Sequence, residues 1–442
     1  MKPTEYKVAI CGCGPAGISP LVYLEEQGRL DQLLAEGACL IESSARIGDG
    51  TIGKYRITAN SLGKVFLEIF KNPNSPMLQY MKQQPSYRKI QGFLETAPPL
   101  PVIGEVLADM GRYIAGRVAE FPSSQLHDCS QVQRIQLRAD GRFDVTFRQV
   151  LPPDQPQMIT ADHVIYNLGG HQELPPFLEK RFRTGQPVWL SGEFLQGQHD
   201  QRLHELLRND KGPLKLVMVG AAHSAFSALY RLKNQFGLVP GDQMSVNMTH
   251  RSPVRLFYSS PEEAERDGYP FDPVEDVCPL SGRVNRYSGM RYDSCALGKE
   301  VLAGQYGNVT LTSVAEMSDA EYEAMLDEAD IILSCIGYRN RAVEFLDADG
   351  SPLEFLDDHN KVFTDENSNP YRTNGEAIHG LYMFGLGAGL RTGGSNGGEA
   401  SYAGRIDGVW FYQHLVAERL FSKDNLNIGG IPDASERTAH LV

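Results

Sequence analysis

The sequence predicts an α/β protein built from two strand–turn–helix units of the doubly wound kind, the second inserted into a discontinuous first. Three observations carry that prediction. An apolar strand, a turn of small residues and a helical stretch occur at residues 7–24, and the same succession returns at residues 214–232. Two further apolar strands, 161–168 and 329–336, end directly in glycine and bracket the second copy. Short apolar strands alternating with helical patterns are the signature of parallel sheets joined by crossover helices.

The first turn reads Gly12-Cys13-Gly14-Pro15-Ala16-Gly17 after the apolar residues 8–11. Each glycine has its own reason. Gly12 permits the tight turn, Gly14 lets backbone approach a pyrophosphate at the helix N-terminus, and Gly17 allows the helix to pack closely on the sheet. Pro15 and Ala16 open the helix without bulk. A second strand, 38–41, ends in Glu42, whose carboxylate suits ribose hydroxyls and repels a 2′-phosphate. This Rossmann fingerprint fits FAD or NAD. Glu42 lies a few residues farther from Gly17 than is usual, which extra loop at residues 28–36 would explain.

Farther on, residues 133–147 alternate around Asp140-Gly141 as a hairpin, and 161–168 reads as a buried strand returning to the first sheet before Gly169-Gly170. The second unit opens with residues 216–219 and the turn Gly220-Ala221-Ala222-His223-Ser224-Ala225, with alanine at the second and third glycine positions. It continues through strands at 244–249 and 308–312 and closes with 329–336 before Gly337 and Tyr338. After these come a polar hairpin at 361–371, a last strand at 380–385, a glycine-rich run to Gly398, a helix through Leu420 and a tail with no clear period. The expected division is therefore a first domain of residues 1–180 and 335–442 around a second of residues 181–334, with the glycine-ended strands as hinges.

Spacing distinguishes the two units. Glu42 lies thirty residues past Gly12, and His250 lies thirty past Gly220, with Arg251 next. Acid has been exchanged for base. A guanidinium there pairs with a 2′-phosphate and stacks on adenine, so the second dinucleotide is expected to be NADPH, with Arg255 assisting. His223 reads as a helix-start residue.

Composition narrows the ligands. A net charge of −13 argues against nucleic acid or an anionic membrane as partner. No stretch of about 18–20 apolar residues is present and the first residues read as neither export signal nor anchor. Seven cysteines, none spaced CxxC, suggest neither a disulfide framework nor a metal site. The expectation is a cytoplasmic enzyme acting on a small molecule, metal-free, with a homo-oligomer compatible. Cys11 and Cys13 read as packing residues.

In their order these features resemble the class B flavoprotein monooxygenases, the group of flavin-containing monooxygenases, Baeyer–Villiger enzymes and amine N-hydroxylases. The resemblance rests on GCGPAG with Glu42, the strand and glycine at 164–170, the VGAAHSA turn with His250-Arg251, and residues 332–338, similar to the family's ATGY hinge. Residues 55–66 are similar to the segment in which an asparagine–serine pair, here Asn60-Ser61, precedes a lysine and an apolar helix. The resemblance implies that Asn60 lies beside the flavin; read alone, Asn60 is equally a helix cap. Departures are the LGG and IGY hinges, and the degenerate Phe194, Gly197 and His199 where the family has an aromatic, a glycine and a histidine at fixed spacing.

The resemblance further implies FAD and NADPH as cofactors, and a flavin C4a-hydroperoxide that gives one oxygen of O2 to a soft nucleophile, with a lean toward amine N-hydroxylation. Candidate walls are residues 48–51, including Gly50, the glycines Gly385, Gly387 and Gly389, and residues 391–398. Residues 267–292 are either a gating insertion or a polar surface excursion. Two alternatives stay open: an NAD(P)H oxidase or reductase without oxygen insertion, and a flavin-binding protein without catalysis.

Overall fold

The computed structural model describes residues 4–150, 152–208, 212–241, 243–358, 361–386, 388–423 and 425–428. Two sheets organise them. The larger has eight strands, running Glu344–Leu346, Ser130–Leu137, Phe143–Gln149, Gln157–Tyr166, Thr4–Cys11, Ala38–Ile41 and Gln125–His127, with Leu381–Met383 also paired to Gln157–Tyr166. The smaller is wholly parallel and orders Val309–Ser313, Met244–His250, Leu214–Val219, Ile331–Ser334 and Val188–Leu190.

The central strand Thr4–Cys11 is apolar because both of its faces are covered. Val8 and Ile10 pack into the helical core with Ile18, Leu21 and Val22. Ala9 and Cys11 face the opposite core with Val145, Phe147 and Val164. The smaller sheet divides in the same way, with Leu216 and Met218 in one core and Val217 and Val219 in the other.

The chain crosses between the sheets twice, and the crossings lie side by side. Gly170–His171 pairs antiparallel with Arg339–Asn340. Gly169 and Gly337, the residues just before, have φ of +77° and +93°, a region open to glycine. Arg341 N–H donates to the Gly169 carbonyl at 3.0 Å.

Two local expectations are corrected and one holds. Residues 28–36 are mostly helix, Leu30–Glu36, because Leu30, Leu33 and Leu34 fall on one buried face. The hairpin expected at 361–371 is present: Tyr371 N–H donates to the Phe363 carbonyl, Thr364 bridges Pro370 antiparallel, and Asp365 N–H donates to the Asn369 carbonyl across the turn. The late helix begins at Val409 and widens to a π turn over Tyr412–Val416 before it ends at Leu420. The tail from residue 429 on lies outside the described residues.

Candidate active site

The first turn is built as its glycines require. A Cβ on Gly12 would lie 2.3 Å from the Asn167 carbonyl oxygen, and one on Gly17 would lie 1.9 Å from the Gly12 carbonyl oxygen. Gly14 has open space around it instead, its nearest neighbour being the Gly50 Cα at 3.6 Å. The helix Pro15–Glu26 starts there with proline in its first turn, where a missing N–H costs nothing. Gly385 approaches from the other side, its absent Cβ 3.4 Å from the Ala16 Cβ. Gly387 lies outside the described residues.

Glu42 is buried at the end of its strand. One carboxylate oxygen accepts from Cys13 N–H at 2.8 Å and the other from Ser44 N–H at 2.9 Å. The second oxygen also takes the Ser43 and Ser44 hydroxyls. The first oxygen accepts one hydrogen bond from the protein and has capacity for another, as a ribose hydroxyl requires. Cys11 and Cys13 are fully buried, and burial pushes the Cys11 thiol up to about 12 and the Cys13 thiol well above its ordinary range. They pack, as expected.

The second turn repeats the construction with one difference. Gly220 has φ of +106°, and a Cβ there would meet the Cys335 carbonyl oxygen at 2.7 Å. Ala222 stands before the helix His223–Phe236, and His223 is its first residue. Ala225 is buried in the core, and the Ser224 hydroxyl lies 3.4 Å from the Cys335 carbonyl. His223 Nε2 and His250 Nδ1 are buried without hydrogen-bond partners. Burial, then the positive charge of Arg291, lowers the His223 pKa to about 4, so its imidazole is neutral at physiological pH. Arg251 is exposed. Arg255 is not free to assist it: its guanidinium donates to Ser288 Oγ and to Ser401 Oγ and carbonyl.

The segment 55–60 joins the two units. Tyr55 Oη and Tyr338 Oη are 2.5 Å apart, Arg56 N–H donates to the Leu195 carbonyl at 2.9 Å, and Thr58 Oγ1 donates to Asp293 Oδ2 at 2.7 Å. Arg56 also pairs with Asp200, which holds the fully buried Arg231. Asn60 follows, exposed, with Ser61 half-buried beside it. The helix-cap alternative is overturned: the short helix Gly63–Phe66 starts from Leu62 with no side-chain cap.

Phe194, Gly197 and His199 lie in this neighbourhood as structural residues. Gly197 terminates the helix Ser191–Gln196 in a left-handed turn, and His199 stacks on Trp189 with ring centroids 4.6 Å apart.

Residues 267–292 are fastened to the late glycine run, so they are no free surface excursion. Glu399, fully buried, accepts from Tyr287 N–H, Ser288 N–H and Ser288 Oγ. Gly398 N–H points to Cys278 Sγ at 3.1 Å. Gly397 and Gly398 make room for Cys278, Arg286 and Tyr287, and Gly389 for the Ile406 carbonyl. Sequence reading missed Tyr55, Thr58, Asp293 and Glu399, because no local pattern joins partners so far apart in the chain.

The residues present fit two dinucleotides: an uncrowded Gly14 cradle and Glu42 in one unit, and in the other a helix N-terminus flanked by unpartnered imidazole nitrogens and an exposed arginine. Solved structures of similar fold define the class. The ornithine hydroxylase PvdA from Pseudomonas aeruginosa superposes with a TM-score of 0.55 at 15% identity, covering 94% of this chain and 98% of its own. The L-lysine 6-monooxygenase from Pseudomonas syringae gives 0.54 at 14%, with the same coverage. DfoA from Erwinia amylovora, a cadaverine monooxygenase bound to FAD, gives 0.56 at 15%, covering 86% of this chain and 88% of its own. The fold is thus that of the flavin-dependent N-hydroxylating monooxygenases.

No family model matches the chain. A curated relative does: the CMP-5′-(3-aminopropyl)phosphonate hydroxylase of Streptomyces rubellomurinus is 33% identical over 451 residues, spanning 96% of this chain and all of its own. The chain belongs to the family of that hydroxylase, and it is a flavin monooxygenase. Among the described residues no helix is long and apolar enough to cross a membrane, and no cluster of metal ligands is present.

Proposed function

We propose that this protein uses FAD, NADPH and O2 to hydroxylate the nitrogen of a primary amine that also carries a phosphonyl or nucleotidyl group. One oxygen atom enters the N–O bond; the other leaves as water, taking a hydride (two electrons and one proton) from NADPH and a second proton from solvent. When bound, FAD supplies the oxygen activation and NADPH the reducing equivalents. The protein's task is to bind, orient and exclude water.

The observation that carries this reading is the junction at residues 55–60, where the chain that bears Asn60 is tied to the second unit through Tyr338, Leu195 and Asp293. That tie supports reading Asn60 as the amide that meets the amine beside the nicotinamide. In this reading Gly12, Gly14, Pro15, Ala16, Gly17, Glu42, Gly50, Gly385 and Gly387 hold FAD, and Gly220, Ala222, His223, Ser224, Ala225, His250 and Arg251 hold NADPH. Gly337 and Tyr338 form the hinge, and Asn60 and Ser61 face the substrate. The FAD domain comprises residues 1–180 and 335–442 and the NADPH domain residues 181–334, a division supported by their separate sheets. A cytoplasmic location suits the cysteines, which are all free.

The amine class is supported by the fold's hydroxylases and the phosphonyl group by the name of the curated relative. The test is turnover of CMP-5′-(3-aminopropyl)phosphonate with NADPH, read by product mass. A gain of one oxygen on nitrogen supports the reading; NADPH oxidation that yields only hydrogen peroxide with this and other amines opposes it.

A further inference from the structure

Resting on that functional reading, we propose that Arg283, Arg286 and Arg291 form the subsite for the substrate's phosphonyl or phosphodiester oxygens and so select an anionic amine. All three lie on one stretch that closes against the segment bearing Asn60. Among the described residues none of them has an ion-pair partner, whereas Arg117 and Arg181 are each satisfied by two or more carboxylates. Cationic side chains that outnumber the carboxylates near them repel one another, and an oxyanion placed among them removes that cost.

The geometry prepares them for it. The Arg291 guanidinium lies 3.8 Å from the centre of the Phe257 ring and donates to the Arg286 carbonyl at 2.8 Å. Arg286 lies over Tyr287 and spends one nitrogen, Nη1, on Cys278 Sγ and the Asn396 carbonyl, both at 3.3 Å. Aromatic faces hold each planar group while most of its five donors remain available, the arrangement suited to bidentate phosphate recognition. Arg283 is exposed at the rim.

Negative charge nearby does not cancel the cluster. Glu399 is within electrostatic reach of Arg291, and its single negative charge leaves the three guanidinium groups in excess. Cys278 accepts from Arg286, and its thiol is lowered to about 7 against the opposing effect of burial, by hydrogen bonds from Ser281, Arg286 and Gly398. Arg291 itself is pushed below the usual arginine range, first by burial and then by Arg283 and Arg286.

Position ties the cluster to the reaction. Asp293, two residues after Arg291, accepts from Thr58, two residues before Asn60. An anion held by these arginines leaves an aminoalkyl chain to reach toward Asn60. The same oxyanion chemistry belongs to the pyrophosphate of NADPH, and His223 beside Arg291 makes that source concrete. The experiment must separate the two.

The test is calorimetric titration of the FAD-loaded enzyme and its Arg283→Gln and Arg286→Gln variants with CMP-5′-(3-aminopropyl)phosphonate and, separately, with NADP+. The expected result is a Kd for the phosphonate raised about tenfold or more in each variant, as loss of a charged hydrogen bond predicts, with the Kd for NADP+ moving by less than about twofold. Equal rises for both ligands would assign the arginines to the dinucleotide and overturn the proposal. So would an unchanged phosphonate Kd in Arg283→Gln, or a wild-type enzyme that does not bind the phosphonate. Arg283 is exposed, so its variant decides the matter even if Arg286→Gln fails to fold. Failure of the functional reading shows elsewhere, as flavin that NADPH does not reduce or a bound phosphonate amine that gains no oxygen.

Discussion

Glu42 and Arg251 are the two residues proposed to set which dinucleotide goes where, and each invites a direct substitution. The Glu42 carboxylate holds the first turn by accepting from Cys13 and Ser44 backbone amides. Glu42→Gln replaces one acceptor oxygen by a donor facing an N–H, so the turn loosens and FAD content after gel filtration is expected to fall several-fold; full retention would remove the assignment. Arg251 is exposed at the end of Met244–His250. Arg251→Ala is expected to raise the KM for NADPH about tenfold, the value of one charged hydrogen bond, with little change for NADH. Equal effects on both cofactors would mean that the guanidinium does not meet a 2′-phosphate. Arg255 illustrates the limit of reading by proximity in sequence: four residues on, it is bound to Ser401.

At the scale of elements, the paired crossings Gly170–His171 and Arg339–Asn340 form a single two-stranded hinge. Sequence marked both glycines but not their pairing, since antiparallel contact between segments so distant follows only from the two sheets being closed separately. Tyr338 leaves this hinge to meet Tyr55, and burial, together with Tyr55, pushes its phenol above the usual range. Tyr338→Phe removes that contact, costing about 1 kcal/mol, and with it one of the ties on the Asn60 segment. Because at least three other ties remain, the expected outcome is a partial loss of coupling, read as more hydrogen peroxide per NADPH consumed, with flavin content unaltered. Coupling as tight as wild type would show that Thr58 and Arg56 suffice to position the segment.

Across the whole molecule, acid stability depends on imidazoles that fold neutral. Burial in the core beside Tyr382, reinforced by Lys7, lowers the His163 pKa to about 4. The unfolded chain binds this proton near pH 6.5, and the folded chain does not until about 4. Its contribution to stability is therefore complete above pH 6.5 and is lost progressively as pH falls toward 4. Glu26 acts in the opposite sense, because burial raises its carboxyl to about 7 and folding then favours the protonated form. The two are separated by difference: His163→Gln should lose less of its thermal midpoint than wild type between pH 7 and 4.5. A parallel decline in both proteins would show that His163 is solvated in the native state.

Sequence by itself determined the two Rossmann turns, the acid and base that follow them, both glycine-ended crossings and the succession of most strands along the chain. These features depend on steric demands at single positions, as at Gly12 and Gly17, or on a short period, so they are written locally. Only the tertiary structure decided that residues 267–292 lock onto the run at Gly398 and Glu399, that Gly389, Gly397 and Gly398 lie against protein atoms, that Asn60 does not cap a helix, and that three arginines gather without ion-pair partners among the described residues. Those outcomes depend on which distant surfaces meet when two separately closed sheets are pressed together, and no local pattern in the chain encodes them.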